Sequence, residues 1–499
     1  MSPQDNGSTA VVDGATSTGV TKPLLIDGEL VMLDKTFPSY NPATGELFGH
    51  APDAGVDEAE AAVAAARRAF DTTTWATDAE FRANCLDQLY QALQDNKEEL
   101  RELLMGEVGA TRVLTHGNQL EAPIEIVKYY ADLLRTYPLT ETLGEIEIRG
   151  QQHRRWIDKE AAGVVAAITA YNYPVQLAMA KLAPALAAGC TVVLKGAPDT
   201  PLVTNALGEI IKEHTDIPAG VVNVLSSSGI PVGEVMTTHP EVDVVTFTGS
   251  TPVGAQIMAA AAATMKKVFT ELGGKSALIV LDDADLDMVA QFAAFSICSH
   301  AGQGCALTTR LVVPREKHDE IVARVAGFMA NVPFGDPTNP KMYMGPLISA
   351  KQRDKVDGLV QRAIEAGATL ATGGKAVEPG YFYEPTLLAN VDPSSEIAQE
   401  EAFGPVLAVI PHDGDDDAVR IANDSKYGLS GGVLTADDER GIAIGRRIRT
   451  GTFSINGGNY FTPDMPFGGY KQSGIGREMS AHGLEEFLET KAYAAVVKA

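Results

Sequence analysis

The sequence predicts an α/β chain with two parallel sheets, each wound with helices. Two observations carry that expectation. From Ala161 onward, short β-rich runs take turns with amphipathic segments, the pattern of a parallel sheet covered on both faces. A second alternating series then begins at Ser276. The length adds a third: 499 residues, 45% hydrophobic and 21% charged, supply core for roughly three domains at about 150 residues each.

Taken in order, the first 22 residues (MSPQDNGSTAVVDGATSTGVTK) have no basic stretch ahead of an apolar one, so residues 1–22 read as a disordered tail rather than a secretory signal. Past Gly55 the pattern turns helical, with Asp57 and Glu60 as the expected N-terminal cap and Val63, Ala66 and Phe70 on one face. Leu86, Leu89, Leu93, Leu100 and Leu104 mark a second helical stretch, in which Cys85 is a core residue. Glu145–Arg149 and Arg154–Lys159 alternate charged and apolar residues around Gly150-Gln151-Gln152, as a hairpin does, and its apolar face needs a covering surface.

In the first α/β series, Val164–Ala170 leads to Leu177–Ala188, Thr191–Leu194 to Leu202–His214, Val221–Leu225 to a Gly229/Gly233 segment, and Val242–Thr248 to Val253–Ala263. Ser276–Leu281, Asp285–Cys298, Arg310–Pro314, Glu320–Met329 and Phe403–Ile410 form the second. Ligands of such sheets bind at the carboxyl ends of the strands. The acidic run Asp413–Asp417 has neither the glycine nor the terminal glutamate of a calcium loop and reads as a solvated helix start.

Composition excludes several function classes. A formal net charge of −25 repels phosphate backbones and anionic lipid, so neither nucleic acid nor membrane is an expected partner. No charge-free apolar run reaches membrane-spanning length, since Asn172, Pro174, Lys181 and Pro184 interrupt the nearest candidate. Cys85, Cys190, Cys298 and Cys305 form no C-x-x-C pair, which fits a reducing cytoplasm, and no HExxH or Cys/His quartet offers a metal site.

Three segments could do chemistry. In His300-Ala-Gly-Gln-Gly-Cys305, glycines around a cysteine leave the thiol unshielded, and a thiol is a strong nucleophile once ionised. Glu271-Leu-Gly-Gly-Lys-Ser276 places a carboxylate at the end of a β-rich run, where burial would make it a general base. Thr246–Gly254 runs from a strand end through glycine into a helix, a site for phosphate, although no G-x-G-x-x-G occurs in the chain. Each alone also has an ordinary packing or turn explanation.

Together, and in this order, the segments resemble the aldehyde dehydrogenase superfamily from about Leu24 to the C-terminus. Ala170–Pro174 resembles that family's asparagine loop, Val193–Pro198 its adenosine-ribose strand, and Phe247–Gly254 its phosphate turn. Glu271–Ser276 is similar to the general-base motif, and Gly302–Cys305 to the nucleophile motif. Glu400–Val406 matches the nicotinamide-ribose clamp, and Pro466–Gly474 the closing loop.

The resemblance implies a Rossmann-like parallel-sheet cofactor domain (residues 23–137 and 162–271), an α/β catalytic domain (272–477) and a small β oligomerisation arm (138–161 and 478–499). It implies oxidation of a small-molecule aldehyde to the acid. Cys305 would attack the carbonyl, the Asn172 amide and the Cys305 backbone N–H would hold the oxyanion, and Glu271 would activate water against the thioester. Lys181 and Glu478 match a proton relay to that glutamate, and a charged pair bracing the site floor explains them equally well.

For the cofactor the implied residues are Ala170, Tyr171, Lys195, Pro198, Gly229, Gly233, Thr248, Gly249, Ser250, Gly254, Leu272, Gly273, Glu401 and Phe403. Many NAD-preferring relatives carry glutamate where this chain has Pro198, so NAD is the expected cofactor and NADP stays open. Tyr171, Tyr173, Gln176, Leu177, His300 and Leu307 are expected along the aldehyde tunnel. A semialdehyde dehydrogenase with a basic tunnel mouth, or a silent binding protein on the same fold, are the alternatives. The hairpin and the strand Ala492–Val497 are expected to augment a neighbouring subunit's sheet, giving a homodimer or homotetramer.

Overall fold

The computed structural model describes residues 19–497. Of the expected tail, residues 1–18 lie outside the described residues, and Val20–Thr21 form a short strand along Leu47–Pro52. The first α/β series builds one sheet whose parallel strands lie in the order Lys267–Glu271, Val244–Thr248, Val164–Ile168, Thr191–Lys195 and Val222–Leu225. Strands Val164–Ile168 and Thr191–Lys195 occupy its centre, and their nearly continuous apolar runs are buried on both faces, as parallel strands under helices must be.

The second series builds a seven-stranded sheet, parallel except for the edge strand Thr369–Thr372. Its order runs through Val406–His412, Thr308–Pro314, Ser276–Val280 and Gly431–Leu434, and the strand near 403 starts at Val406. Gly474–Ile475 leaves the expected catalytic segment and pairs antiparallel with Thr270–Glu271 in the first sheet, which brings the C-terminal chain to the edge of the site.

Two local expectations are corrected. The helix Val56–Thr72 is capped at Gly55, whose N–H donates to the Glu58 carboxylate at 2.7 Å, because the reciprocal contact spans three residues from the true cap and not from Asp57. The hairpin turns at Arg149–Gly150, where φ is +53° and +79°, a two-residue turn whose twist matches Thr140–Ile148 and Gln151–Ala161. The C-terminal strand Leu488–Val496 pairs with Gln151–Ala161 of its own chain, which makes the arm a three-stranded sheet with two outer strands, Leu488–Val496 and Thr140–Ile148, the latter exposed along its whole length. Asp415–Asp417 do open a helix, and among the described residues no cluster could hold a metal ion. No helix of the described residues is long and apolar enough to cross a membrane.

Candidate active site

Parallel register decides where chemistry collects. Thr248 lies beside Glu271, and Ile168 beside Lys195, so the loops following these strands leave from one carboxyl edge. Between that edge and the first residues of the second sheet's strands (Thr308, Gly431, Ser454) lies a cavity of about 910 Å³.

The Cys305 loop is held by backbone strain and close approach. His300, Ala301 and Gly302 follow one another at φ +47°, +51° and +74°, a conformation that two non-glycine residues adopt only when their surroundings impose it. Buried Gln303 fixes the turn: its amide donates to His300 O and Pro346 O at 3.2 and 3.3 Å, and its Oε1 accepts from Ile348 N at 3.0 Å. The Cys305 carbonyl lies so near Gly274 that a Cβ there would sit 2.3 Å from it. Cys305 itself is half-buried and faces the cavity. Burial, reinforced by the carboxylates of Glu271, Glu401 and Glu478, holds its thiol above the ordinary range.

Asn172 is set beside it. Its Nδ2 donates to Gln303 O at 2.8 Å and its backbone carbonyl accepts from Gln119 Nε2 at 2.9 Å, which leaves the second N–H of the side-chain amide for a guest in the cavity.

Glu271 and Lys181 lie behind the cavity wall, and Glu478 forms part of it. Lys181 donates to the Glu478 carboxylate with both side chains sealed from solvent, at 0% and 5% exposure. Glu271 is buried with Oε2 unpartnered, and burial, with Glu478 adding to it, raises its carboxyl well above the usual range. Such a carboxyl keeps its proton where an exposed one has lost it, the condition of a group that takes and returns protons. The loop Pro466–Gly474 roofs it: Phe467 and Glu478 exchange backbone hydrogen bonds at 2.8 and 2.7 Å, and a Cβ on Gly468 would be 2.8 Å from Glu271 Oε1.

On the other side of Cys305 stand Ala170, Tyr171, Thr248, Gly249, Ser250, Leu272, Gly273, Glu401 and Phe403. Gly249 opens the start of the helix Thr251–Ala261, where a Cβ would strike the Phe247 ring at 2.3 Å, and Gly254 packs that helix on Leu272. Glu401 accepts from Gly274 N at 2.9 Å, and its Oε2 lies where a Cβ of Gly273 would come within 2.6 Å. Buried Tyr171 Oη and Thr248 Oγ1 have no partner. Amides at a helix start, a carboxylate under a glycine and two orphaned hydroxyls fit the pyrophosphate and ribose of a dinucleotide.

Lys195, Pro198, Gly229 and Gly233 are not brought to this cavity. Pro198 and Gly229 are exposed, and burial pushes the Lys195 amine down to about 8. Sequence reasoning missed Gln352 and Lys355, which line the cavity: Gln352 Nε2 donates to Ala402 O and Phe403 O at 3.0 and 2.7 Å, and Lys355 Nζ to Glu401 O at 3.1 Å.

Of the tunnel residues, Tyr173, Gln176, Leu177 and Leu307 line the cavity. His300 does not: the left-handed turn buries it behind Tyr173, ring centroids 5.2 Å apart, and burial pushes its imidazole down to about 4. Tyr171 also lines the cavity and packs edge-to-face on Phe403, ring centroids 6.0 Å apart.

Comparison with known proteins is consistent along the whole chain. The model of the aldehyde dehydrogenase family matches residues 31–493. The 3-succinoylsemialdehyde-pyridine dehydrogenase of a Pseudomonas species is 40% identical over 460 residues, 91% of this chain and 93% of that one. A Mycobacterium tuberculosis aldehyde dehydrogenase complexed with NAD+ superposes with a TM-score of 0.91 at 42% identity, covering 95% of this chain and 98% of that one. Betaine aldehyde dehydrogenase of Staphylococcus aureus, in complex with NAD+, gives 0.91 at 34% identity over 95% and 94%. The chain belongs to the aldehyde dehydrogenase family.

Proposed function

We propose that this protein oxidises an aldehyde to its carboxylic acid with NAD as the acceptor, and that Cys305, Asn172 and Glu271 carry the reaction. The observation behind the reading is a cavity-facing thiol beside a held amide donor on one chamber, with the buried carboxyl of Glu271 behind its wall. NAD-complexed relatives support the cofactor. Bound along Gly249, Ser250 and Glu401, the dinucleotide supplies the hydride acceptor.

Cys305 gives up its thiol proton to solvent, and its Sγ bonds to the aldehyde carbon. The Asn172 amide and the Cys305 N–H hold the oxyanion, and such a donor is worth ~10²–10³ in rate. Loss of hydride from that carbon leaves a thioester on Cys305. Glu271 then removes a proton from water, whose oxygen bonds to the acyl carbon as the C–S bond breaks and the thiolate is regenerated. Lys181 and Glu478 pass the proton onward from Glu271.

Absorbance of NADH with purified protein and a panel of aldehydes tests the reading, and Cys305→Ala should abolish the signal. No turnover of any aldehyde by cofactor-saturated protein would instead favour a silent binding role. The exposed apolar residues Leu143, Ile146 and Ile148 on the outer strand Thr140–Ile148 of the arm support a dimer or dimer of dimers. Light scattering showing monomer alone would refute that. Four free cysteines are in keeping with a cytoplasmic setting.

A further inference from the structure

The helix Leu286–Cys298 and the Ser299 that follows it turn an unusual face to the cavity. Met288, Gln291, Phe292, Phe295, Ser296 and Ser299 recur at the three- and four-residue spacing of one helical stripe, and all six form cavity wall. The opposite stripe, Val289, Ala290, Ala293, Ala294 and Ile297, is fully packed in the core. This helix therefore buries one apolar face against protein and leaves two phenylalanines facing empty space large enough for a guest.

The facing walls match it. Phe295 meets Tyr343 edge-to-face at 5.1 Å, Phe461 meets Phe467 in the same way at 5.3 Å, and Tyr173 closes the inner end near Cys305. Aromatic walls of this kind reward a planar ring through edge and offset contacts beyond the area buried.

Charge narrows the guest further. Among the described residues the cavity wall carries three charged side chains, Lys355, Glu401 and Glu478. Lys355 donates to the backbone carbonyl of Glu401 on the dinucleotide side, where the Glu401 carboxylate accepts from Gly274 N, and Glu478 is paired with Lys181. Neither a carboxylated aldehyde nor a quaternary ammonium would find a charged partner on the aromatic side, where Lys355 and Glu401 do not reach and Glu478 is already paired. A charge left unpaired in such a chamber is strongly disfavoured.

From this geometry we propose that the substrate is an uncharged aldehyde bearing an aromatic ring, which stacks against Phe292 and Phe295 while Gln291, Ser296 and Ser299 accept one polar substituent. The inference rests on the proposed aldehyde oxidation.

The test compares kcat/KM for benzaldehyde, 3-phenylpropanal, hexanal, succinic semialdehyde and betaine aldehyde with NAD. An aromatic aldehyde should exceed both charged ones at least tenfold, and Phe292→Ala with Phe295→Ala should lower the aromatic-to-hexanal ratio at least tenfold, chiefly through KM. Preference for the semialdehyde or for betaine aldehyde, or an unmoved ratio in the double variant, overturns the substrate class while leaving aldehyde oxidation intact. Turnover of none of the five overturns the underlying reading instead. As a control for folding, Phe292→Leu should retain the parental melting transition and still reduce the ratio.

Discussion

The hydroxyl of Tyr130, on the helix Glu121–Thr136, donates a 3.0 Å hydrogen bond to the backbone carbonyl of Ser480. That carbonyl belongs to a turn in which Met479 and Ser480 both adopt positive φ, +65° and +56°, directly after Glu478. Two such residues cost of order 1–3 kcal/mol each, and the surroundings must hold them. Tyr130 is fully buried and is the side chain from outside the turn that does so, with Pro463 O receiving the Ser480 N–H at 2.8 Å. Tyr130→Phe should therefore lower unfolding stability by about 1–3 kcal/mol, the range for an orphaned buried polar group. Because the turn aims Glu478 at Lys181, the variant should also slow steady-state turnover more than the first turnover. Rapid-mixing records of NADH formation, alongside urea titration, check both.

The proposed nucleophile, base and amide donor were legible because each stands in a short glycine- or proline-marked segment whose backbone demand shows in composition. Gly274 and Gly302 are there because a Cβ would strike Cys305 O and Gly404 O, at 2.3 and 2.0 Å. By contrast, Gln352 and Lys355 lie on Ala350–Glu365, whose charged surface pattern hides two side chains turned to the cavity. Nothing local in Leu286–Cys298 says that one apolar stripe meets core and the other meets a chamber. His300 was misplaced because sequence order puts it near the nucleophile, and the turn that reverses its direction depends on long-range contacts to Pro346, Ile348 and Gly404.

Glu271→Gln separates the two halves of the reaction. The amide cannot activate water, so the variant should release about one NADH per site in a burst and then stall as the thioester. Stability should change in a pH-dependent way as well. Since burial raises the folded carboxyl above its ordinary 4.5, the folded chain holds this proton more tightly than the unfolded chain. The group's contribution is complete below about 4.5 and fades as pH climbs through the raised value. Glu271→Gln should therefore match the parent in acid and exceed it in alkaline urea titrations. A variant that turned over at the parental rate would remove Glu271 from the mechanism.

Gly274→Ala probes close approach without touching a reactive group. The added methyl would have to displace the Cys305 carbonyl, and the Gly274 N–H would lose its 2.9 Å bond to Glu401. Overpacking of this kind costs typically 1–3 kcal/mol. The nucleophile would also move by a substantial part of an ångström, enough for a ~10²-fold loss in rate. Thiol titration with a chromogenic disulfide, compared between variant and parent, should show Cys305 reacting at a changed rate even where the fold survives.

Glu107 offers a prediction remote from the chemistry. Its fully buried carboxylate accepts from Leu202 N, Val203 N and Ser39 Oγ at 3.0, 2.9 and 2.7 Å, so it closes the N-terminus of the helix Pro201–His214 from another element. The three donors favour the ionised form, but burial outweighs them and pushes the carboxyl up to about 7. Below about 4.5 the proton is bound in both folded and unfolded chains, and between 4.5 and 7 only the folded chain keeps it. Stability due to this group therefore declines across that window and stays low above it, by roughly 3 kcal/mol at 1.36 kcal/mol per unit. Glu107→Gln, which retains an accepting oxygen, should flatten the difference between urea midpoints at pH 5 and pH 8. Glu107→Ala abandons all three donors and should cost about 2–4 kcal/mol at either pH. An identical pH dependence in parent and Glu107→Gln would mean that the carboxyl is ionised throughout, with the helix terminus holding the charge against burial.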